Sequence, residues 1–235
     1  MNELDKKLFE AVEAGDVRQI NALVERGANI RVFRDEYETL LHNAKTAEVA
    51  EALLANGAPL TDNYGASELF NIDIPEIIEV LIRHLIAQGG DVNAEQVYYI
   101  SEYGQQRLPA KRRWATPLFR ALSAEMAKLL IAHGADVNAR NYEDETPLFM
   151  ISSAEVAEVL IAHGADVNAR NYEGETPLFR TSSVDVAKVL LSHGADINAV
   201  NSYGVSMLSY MSPTTSAAIE SYLGKNDIPK ATKTN

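Results

Sequence analysis

The chain copies itself at a fixed interval. The word TPLF stands at residues 116–119, 146–149 and 176–179, one copy every 30 residues, and the phrase IAHGADVNARNYE at 131–143 returns letter for letter at 161–173. A third version, LSHGADINA, follows at 191–199. A unit of 30 residues is too small to enclose a core of its own, so each copy must bury its apolar face against the next one. With the glycine of this phrase as a ruler, the series extends over Gly27, Gly57, Gly89, Gly134, Gly164, Gly194 and Gly224, which predicts seven units.

Within one unit the local signals agree. Thr146 and Pro147 open a short apolar segment, as a proline at a first helical position does. Ser153 then precedes Ala154, Glu155 and Val156, placing an N-cap before an acid in the first turn. Thr46, Ser123 and Ser183 hold the same cap position, followed by Glu48, Glu125 and Asp185. Val156, Val159 and Leu160 have helical spacing, and Gly164 suits the left-handed turn that ends a helix. The polar run ADVNARNYEDE after it reads as a protruding turn with one buried-type residue, Val167 or its equivalent. Each unit is therefore expected to be helix, turn, helix and loop.

The T-P-L-x word, the -LLxxGADVNA- phrase and the D/N-x-x-G-x-T turn resemble the ankyrin repeat over nearly the whole chain. The resemblance implies an all-α solenoid, a curved stack of about seven helix–turn–helix units with hairpin fingers along one edge, and a role in protein binding. Its units lie near 1–33, 34–61, 62–94, 114–140, 141–170, 171–200 and 201–226. They make one domain over 1–226, with an inserted finger loop at 95–113 and a flexible tail at 227–235. Three departures stand out. Only the first unit, with Gly15 between Ala14 and Asp16, keeps a full turn between its helices. Units two and four to seven lack three residues there, which predicts a clipped first helix. The histidine by which the family ties neighbouring units is Phe70, Phe119, Phe149 and Phe179 here, with His42 alone retained, so apolar packing is expected instead.

The third departure is the interval from Gly89 to Gly134, 45 residues against the 30-residue step, where Gly57 to Gly89 spans 32. The extra residues lie between Asn93 and Thr116 and bring Tyr98, Tyr99, Tyr103 and Trp114, the only tryptophan. From Tyr103 to Ala124 no acid occurs, while Arg107, Lys111, Arg112, Arg113 and Arg120 are basic. This aromatic and basic island sits on a chain with 21 Lys+Arg against 33 Asp+Glu, a net charge of −12. Two readings stand side by side. The loop folds back on the acidic fingers at Glu143, Asp144, Glu145, Glu173 and Glu175, or it contacts a partner, since aromatics and arginine dominate binding hot spots.

The fingers carry a second candidate set. Tyr64, Tyr142, Tyr172 and Tyr203 recur at loop tips beside Asn and Glu, either as partner contacts or packed on one another, and Glu143, Glu145, Glu173 and Glu175 join the candidate partner contacts. Arg120, Met150 and Arg180 share one register at the short first helix, where the arginines meet a partner carboxylate or solvate the rim. His133, His163 and His193 share a register too, but helices in a stack stand about 8–10 Å apart, too far for successive rings to share an ion. Beside a helix end they suit the exposed carbonyls. Asp136, Asp166 and Asp196 with Asn138, Asn168 and Asn198 read as turn formers rather than calcium ligands. No metal and no cofactor is expected.

Catalytic signatures are missing: no G-x-S-x-G, H-E-x-x-H, G-x-x-x-x-G-K-[ST] or G-x-G-x-x-G occurs. The acidic balance repels nucleic acid and anionic membrane over most of the surface. No apolar run approaches a membrane span, the first ten residues lack a secretory pattern, and there is no cysteine, which together suit a cytoplasmic monomer. The expected function is that of a non-enzymatic interaction module gripping another folded protein with a basic patch. A stand-alone acidic stack suits an inhibitor or immunity-type protein neutralising a basic enzyme or toxin. The alternatives are a microbial effector acting on a host protein, or an enzyme subunit using 95–115 as its active loop.

Overall fold

Nine-residue helices recur wherever the phrase recurs, and their ends follow from side chains beside them. α3 (Ala47–Ala55), α5 (Ala124–Ala132), α6 (Ala154–Ala162) and α8 (Val184–Ser192) belong to this class. Thr46, Ser123, Ser153 and Ser183 accept the amides of Val49, Met126, Val156 and Val186 at 3.4, 3.2, 3.3 and 3.4 Å, each satisfying one of the donors a helix start leaves open. At the far end Gly57, Gly134, Gly164 and Gly194 take φ of 84, 92, 90 and 86°, where an L side chain is strained. Val156, Ala157, Val159 and Leu160 of α6 are buried, each large apolar side chain worth about 1.5–3 kcal/mol.

The computed structural model describes residues 1–34, 38–60, 72, 74–94, 96–98, 113–209 and 213–225. They fall into two compact units: residues 1–117 with 132–134, and residues 118–131 with 135–235.

The first unit opens with α1 (Glu3–Ala14) and α2 (Val17–Glu25), a complete helix pair turned at Gly15, φ 76°. Asn2 and Asp5 form a capping box, and the buried Asp5 carboxylate also accepts Asn29 N at 2.9 Å. Arg34 lies 4.7 Å over the Phe9 ring and pairs with Glu13 and Glu38. A 3-10 turn (Leu41–Asn43) precedes α3, which packs on α2 and on α4 (Pro75–Ala87). α4 has 13 residues instead of nine; it starts at a proline without a side-chain cap and buries Ile77, Ile78, Val80, Leu81 and Ile82. The unit ends in an antiparallel ladder of β1 (Gln96–Tyr98) and β2 (Arg113–Ala115), with Gln96 opposite Ala115, Val97 opposite Trp114 and Tyr98 opposite Arg113. The inserted loop thus begins and ends as paired strand. Within the same unit Asn93 Nδ2 donates to Gly134 O at 2.9 Å, and His133 Nε2 lies 3.1 Å from Glu79 Oε2.

From residue 117 onward the clipping is complete. The first helix of each repeat is one turn: Pro117–Arg120, Pro147–Phe149 and Met207–Ser209 as 3-10, and α7 (Pro177–Arg180) as a four-residue helix. α6 packs on α8, and α8 on α9 (Pro213–Lys225). The seventh register glycine departs from the others. Gly224 lies inside α9 and is not among the glycines with positive φ, so the last helix runs through to Lys225 rather than stopping there. Among the described residues no helix is long and apolar enough to cross a membrane.

Candidate functional site

Three fingers of the second unit, at residues 140–145, 170–175 and 200–205, are built alike. Asn141 Oδ1 accepts the amides of Glu143 and Glu145, both at 2.9 Å, and Asn141 N donates to Glu145 O at 3.0 Å. Asn171 repeats the arrangement toward Glu173 and Glu175, and Asn201 toward Tyr203 and Val205. All three asparagines are buried. The turn then passes through the left-handed region at Asp144 (φ 60°), Gly174 (73°) and Gly204 (74°).

Neighbouring fingers are joined rung by rung. Tyr172 N donates to Glu143 O at 3.1 Å, and Ser202 N to Glu173 O at 2.8 Å. Arg140 Nη1 donates to Asp144 O (2.6 Å) and Arg170 O (2.8 Å), and Arg170 Nη1 to Gly174 O (2.8 Å) and Val200 O (2.9 Å). Below them Asn138 Nδ2 donates to Gly164 O at 2.9 Å while its Oδ1 accepts Asp166 N at 2.9 Å, and Asn168 does the same toward Gly194 and Asp196. The repeated Asp–x–Asn turns therefore hold one unit to the next, and each Asp also accepts the amide two residues on. A tip pinned by backbone, asparagine and guanidinium bonds loses little entropy when it binds.

The described tip tyrosines do not all share one column. The rungs align Ser202 with Tyr172 and Tyr203 with Glu173, so Tyr203 occupies the glutamate column. Tyr142 is half-buried, its hydroxyl 2.5 Å from Glu143 Oε1. Tyr172 and Tyr203 are 75% and 74% exposed. Glu173 is exposed and Glu143 half-buried.

Glu145 and Glu175, expected at the partner surface, are 1% and 6% exposed and leave that set. Asn141 Nδ2 donates to Glu145 Oε2 at 2.9 Å and Asn171 Nδ2 to Glu175 Oε2 at 3.4 Å. Arg180 closes the group: its Nε lies 3.5 Å from Glu145 Oε1 and its Nη1 3.8 Å from Glu175 Oε2. It reaches both carboxylates from the solvent side and clamps two repeats together, because burying a carboxylate is costly unless a cation stands near it. Arg120 and Met150, in the same register, are half-buried at the ends of their turns.

Of the inserted loop, Tyr98, Arg113 and Trp114 are placed by backbone in β1 and β2, while Tyr99, Tyr103, Arg107 and Arg112 lie outside the described residues. So does Tyr64. The histidines are used singly: His133 beside Glu79, His193 Nε2 at 2.9 Å from Glu158 Oε2, and His163 Nδ1 at 2.7 Å from its own helix at Val159 O. At the helix starts Glu155 is held below the usual carboxylate range by the Ser153 hydroxyl, 2.7 Å away, and then by its own amide. Glu48 is held down by its own amide and then by Thr46.

Sequence reasoning passed over Asn141, Asn171, Asn201, Arg140 and Arg170. The signal was present, since ARNYE recurs unchanged at 139–143 and 169–173, but a letter repeated for structure looks the same as one repeated for binding.

The family model for ankyrin repeats, an array of three copies, matches residues 75–171 and 118–201, together more than half of the chain. The chain belongs to the ankyrin repeat family. Among solved structures it is similar to the ankyrin repeat domain of human ASB11, at 23% identity over 92% of this chain and 96% of that one, TM-score 0.64. It is also similar to the ankyrin repeat domain of Bcl-3, a member of the IkappaB protein family, at 21% identity over 91% and 97%, TM-score 0.60. At such identities the likeness carries the fold alone. No curated protein matches the sequence. The ankyrin array assigns the chain its general role, that of a protein–protein interaction module.

Proposed function

We propose that this ankyrin protein is a non-catalytic, monomeric binder of a folded protein with a basic patch, of the inhibitor or immunity type, acting in the cytoplasm. One observation carries the reading. Tyr172 and Tyr203, about three-quarters exposed, flank the exposed Glu173 on fingers whose backbones are pinned from three sides. Two large amphipathic side chains on a rigid support make contact area at small entropic cost, and an acid between them favours a cationic partner. The guanidiniums nearby do not reverse this, since Arg140, Arg170 and Arg180 stand against Glu143, Asp144, Glu145, Glu173 and Glu175 and the acids outnumber them. The net charge of −12 supports attraction of a basic protein at long range.

The test is affinity purification from the source cells with the wild-type chain and with Y172A/Y203A, each followed by mass spectrometry. The expected result is a basic protein retained by the wild type, released by salt, and lost with the double variant. Retention of an acidic protein, or of the same partner by both forms, would overturn the reading.

A further inference from the structure

Three successive short repeats bury a threonine in front of their single turn. Thr116, Thr146 and Thr176 are 3%, 0% and 2% exposed, and the hydroxyl of each is buried without a hydrogen-bond partner. Thr146 and Thr176 sit at the N-cap position of their turns yet make no side-chain cap bond. The residue three places on, where the family has histidine, is Phe119, Phe149 or Phe179 and offers no polar atom. Thr39, in front of the retained His42, differs: its Oγ1 accepts the backbone amide of His42 at 3.3 Å, a bond in which the imidazole takes no part.

In backbone hydrogen bonds the turns are thinly held, and packing of residues such as Leu148 and Phe149 supplies the rest. Pro147–Phe149 rests on Phe149 N to Thr146 O at 3.0 Å and Met150 N to Pro147 O at 2.9 Å, and proline at the first position supplies no amide. A buried hydroxyl without a partner disfavours the closed state by the free energy it regains on reaching water. Closed turn and orphan hydroxyl therefore oppose each other at the same spot, three times over.

We propose that these threonines are built-in points of opening: each lets its turn detach locally and meet water while the second helix behind it stays packed. The turns carry Arg120, Met150 and Arg180 at their ends, so opening re-aims this column without unfolding α5, α6 or α8. The openings are graded. Arg180 is tied to Glu145 and Glu175 and latches its turn, whereas Met150, a thioether, cannot make that pairing, so Pro147–Phe149 opens more readily than α7.

The experiment is native-state hydrogen exchange on the full chain, comparing wild type with T146V, which keeps the shape and removes the hydroxyl. The amides of Phe149 and Met150 are expected to exchange roughly tenfold or more slowly in T146V, with little change at Val159 and Leu160 of α6. In the wild type Phe149 is expected to exchange faster than Phe179. Unchanged or faster exchange at Phe149 and Met150 would show that the hydroxyl is already satisfied and overturn the proposal, as would slowing spread evenly over α6. Should T146V not fold, T176V is read in the same way at the amides of Phe179 and Thr181.

Discussion

The first repeat and the repeats of the second unit solve the same packing problem with different material. α1 is a 12-residue helix with a capping box, and it buries Leu8, Phe9, Ala11 and Val12 against α2. Its counterpart at residues 147–149 is one turn that buries Pro147, Leu148 and Phe149. Three deleted residues remove most of a helix, and a single turn cannot pay for its own nucleation. What replaces the lost helix is lateral. The asparagine, arginine and backbone rungs of the fingers run from repeat to repeat, and Arg180 joins two buried carboxylates. The first repeat is stable through its own helices; the later ones are held by what lies between them.

Truncations in the apolar layer test this most severely. Phe9→Ala should cost about 3–5 kcal/mol and Leu148→Ala about 2–5 kcal/mol in urea unfolding. A cost for Leu148 near that of an exposed residue would show that the single turn adds no core, and the comparison would fail. Removing the lateral bonds comes next. Asn171→Ala strips three hydrogen bonds from the buried base of a finger and should cost about 1–3 kcal/mol, leaving the Glu173 and Glu175 amides without their acceptor. A loss below about 0.5 kcal/mol would mean that the fingers are ornaments on the helices.

Smaller effects sharpen the picture of the tips. Asp144→Gly relieves a left-handed φ of 60° at the price of an exposed pairing with Arg140, and should stabilise by about 0.5–1 kcal/mol. Gly174→Ala should destabilise by more than that, because its Cβ would stand 2.8 Å from Ser202 Oγ and 3.0 Å from Ser202 N at a φ of 73°. Equal effects of one sign at the two positions would show that their turns are not equivalent. The smallest effect is acid sensitivity. Glu48 and Glu155 have folded pKa values below the ordinary 4.5, so the stability they contribute is present above 4.5 and is lost as pH falls through their lowered values. Ser153→Ala, which removes the hydroxyl, should flatten the Glu155 part of that slope in thermal unfolding followed as pH is lowered through and below 4.5.

Much of this architecture was legible because it is local. Thr46, Ser123, Ser153 and Ser183 were readable as caps since the bond spans three residues, and six of the seven glycines because a helix stop is a property of one residue's φ. Gly224 misled because spacing alone placed it at a stop, while the chain around it continues as helix. Tyr203 misled in a similar way. It stands 31 residues after Tyr172, and the one-residue offset moves it to the other column of the tips.

The period, the caps, the clipped first helices and the family follow from the order of residues, because each depends on bonds between positions a few places apart and on an interval that can be counted. The fate of the acidic and aromatic tips does not. Glu145 and Glu175 look like Glu143 and Glu173 in the sequence, yet one pair is buried beneath Arg180 while Glu173 faces water. That outcome hangs on a guanidinium 35 residues beyond Glu145, brought within 3.5 Å only when one repeat seats on the next. A charge can be buried only where a second chain segment supplies the partner that water supplied before, and which segment arrives is settled by packing.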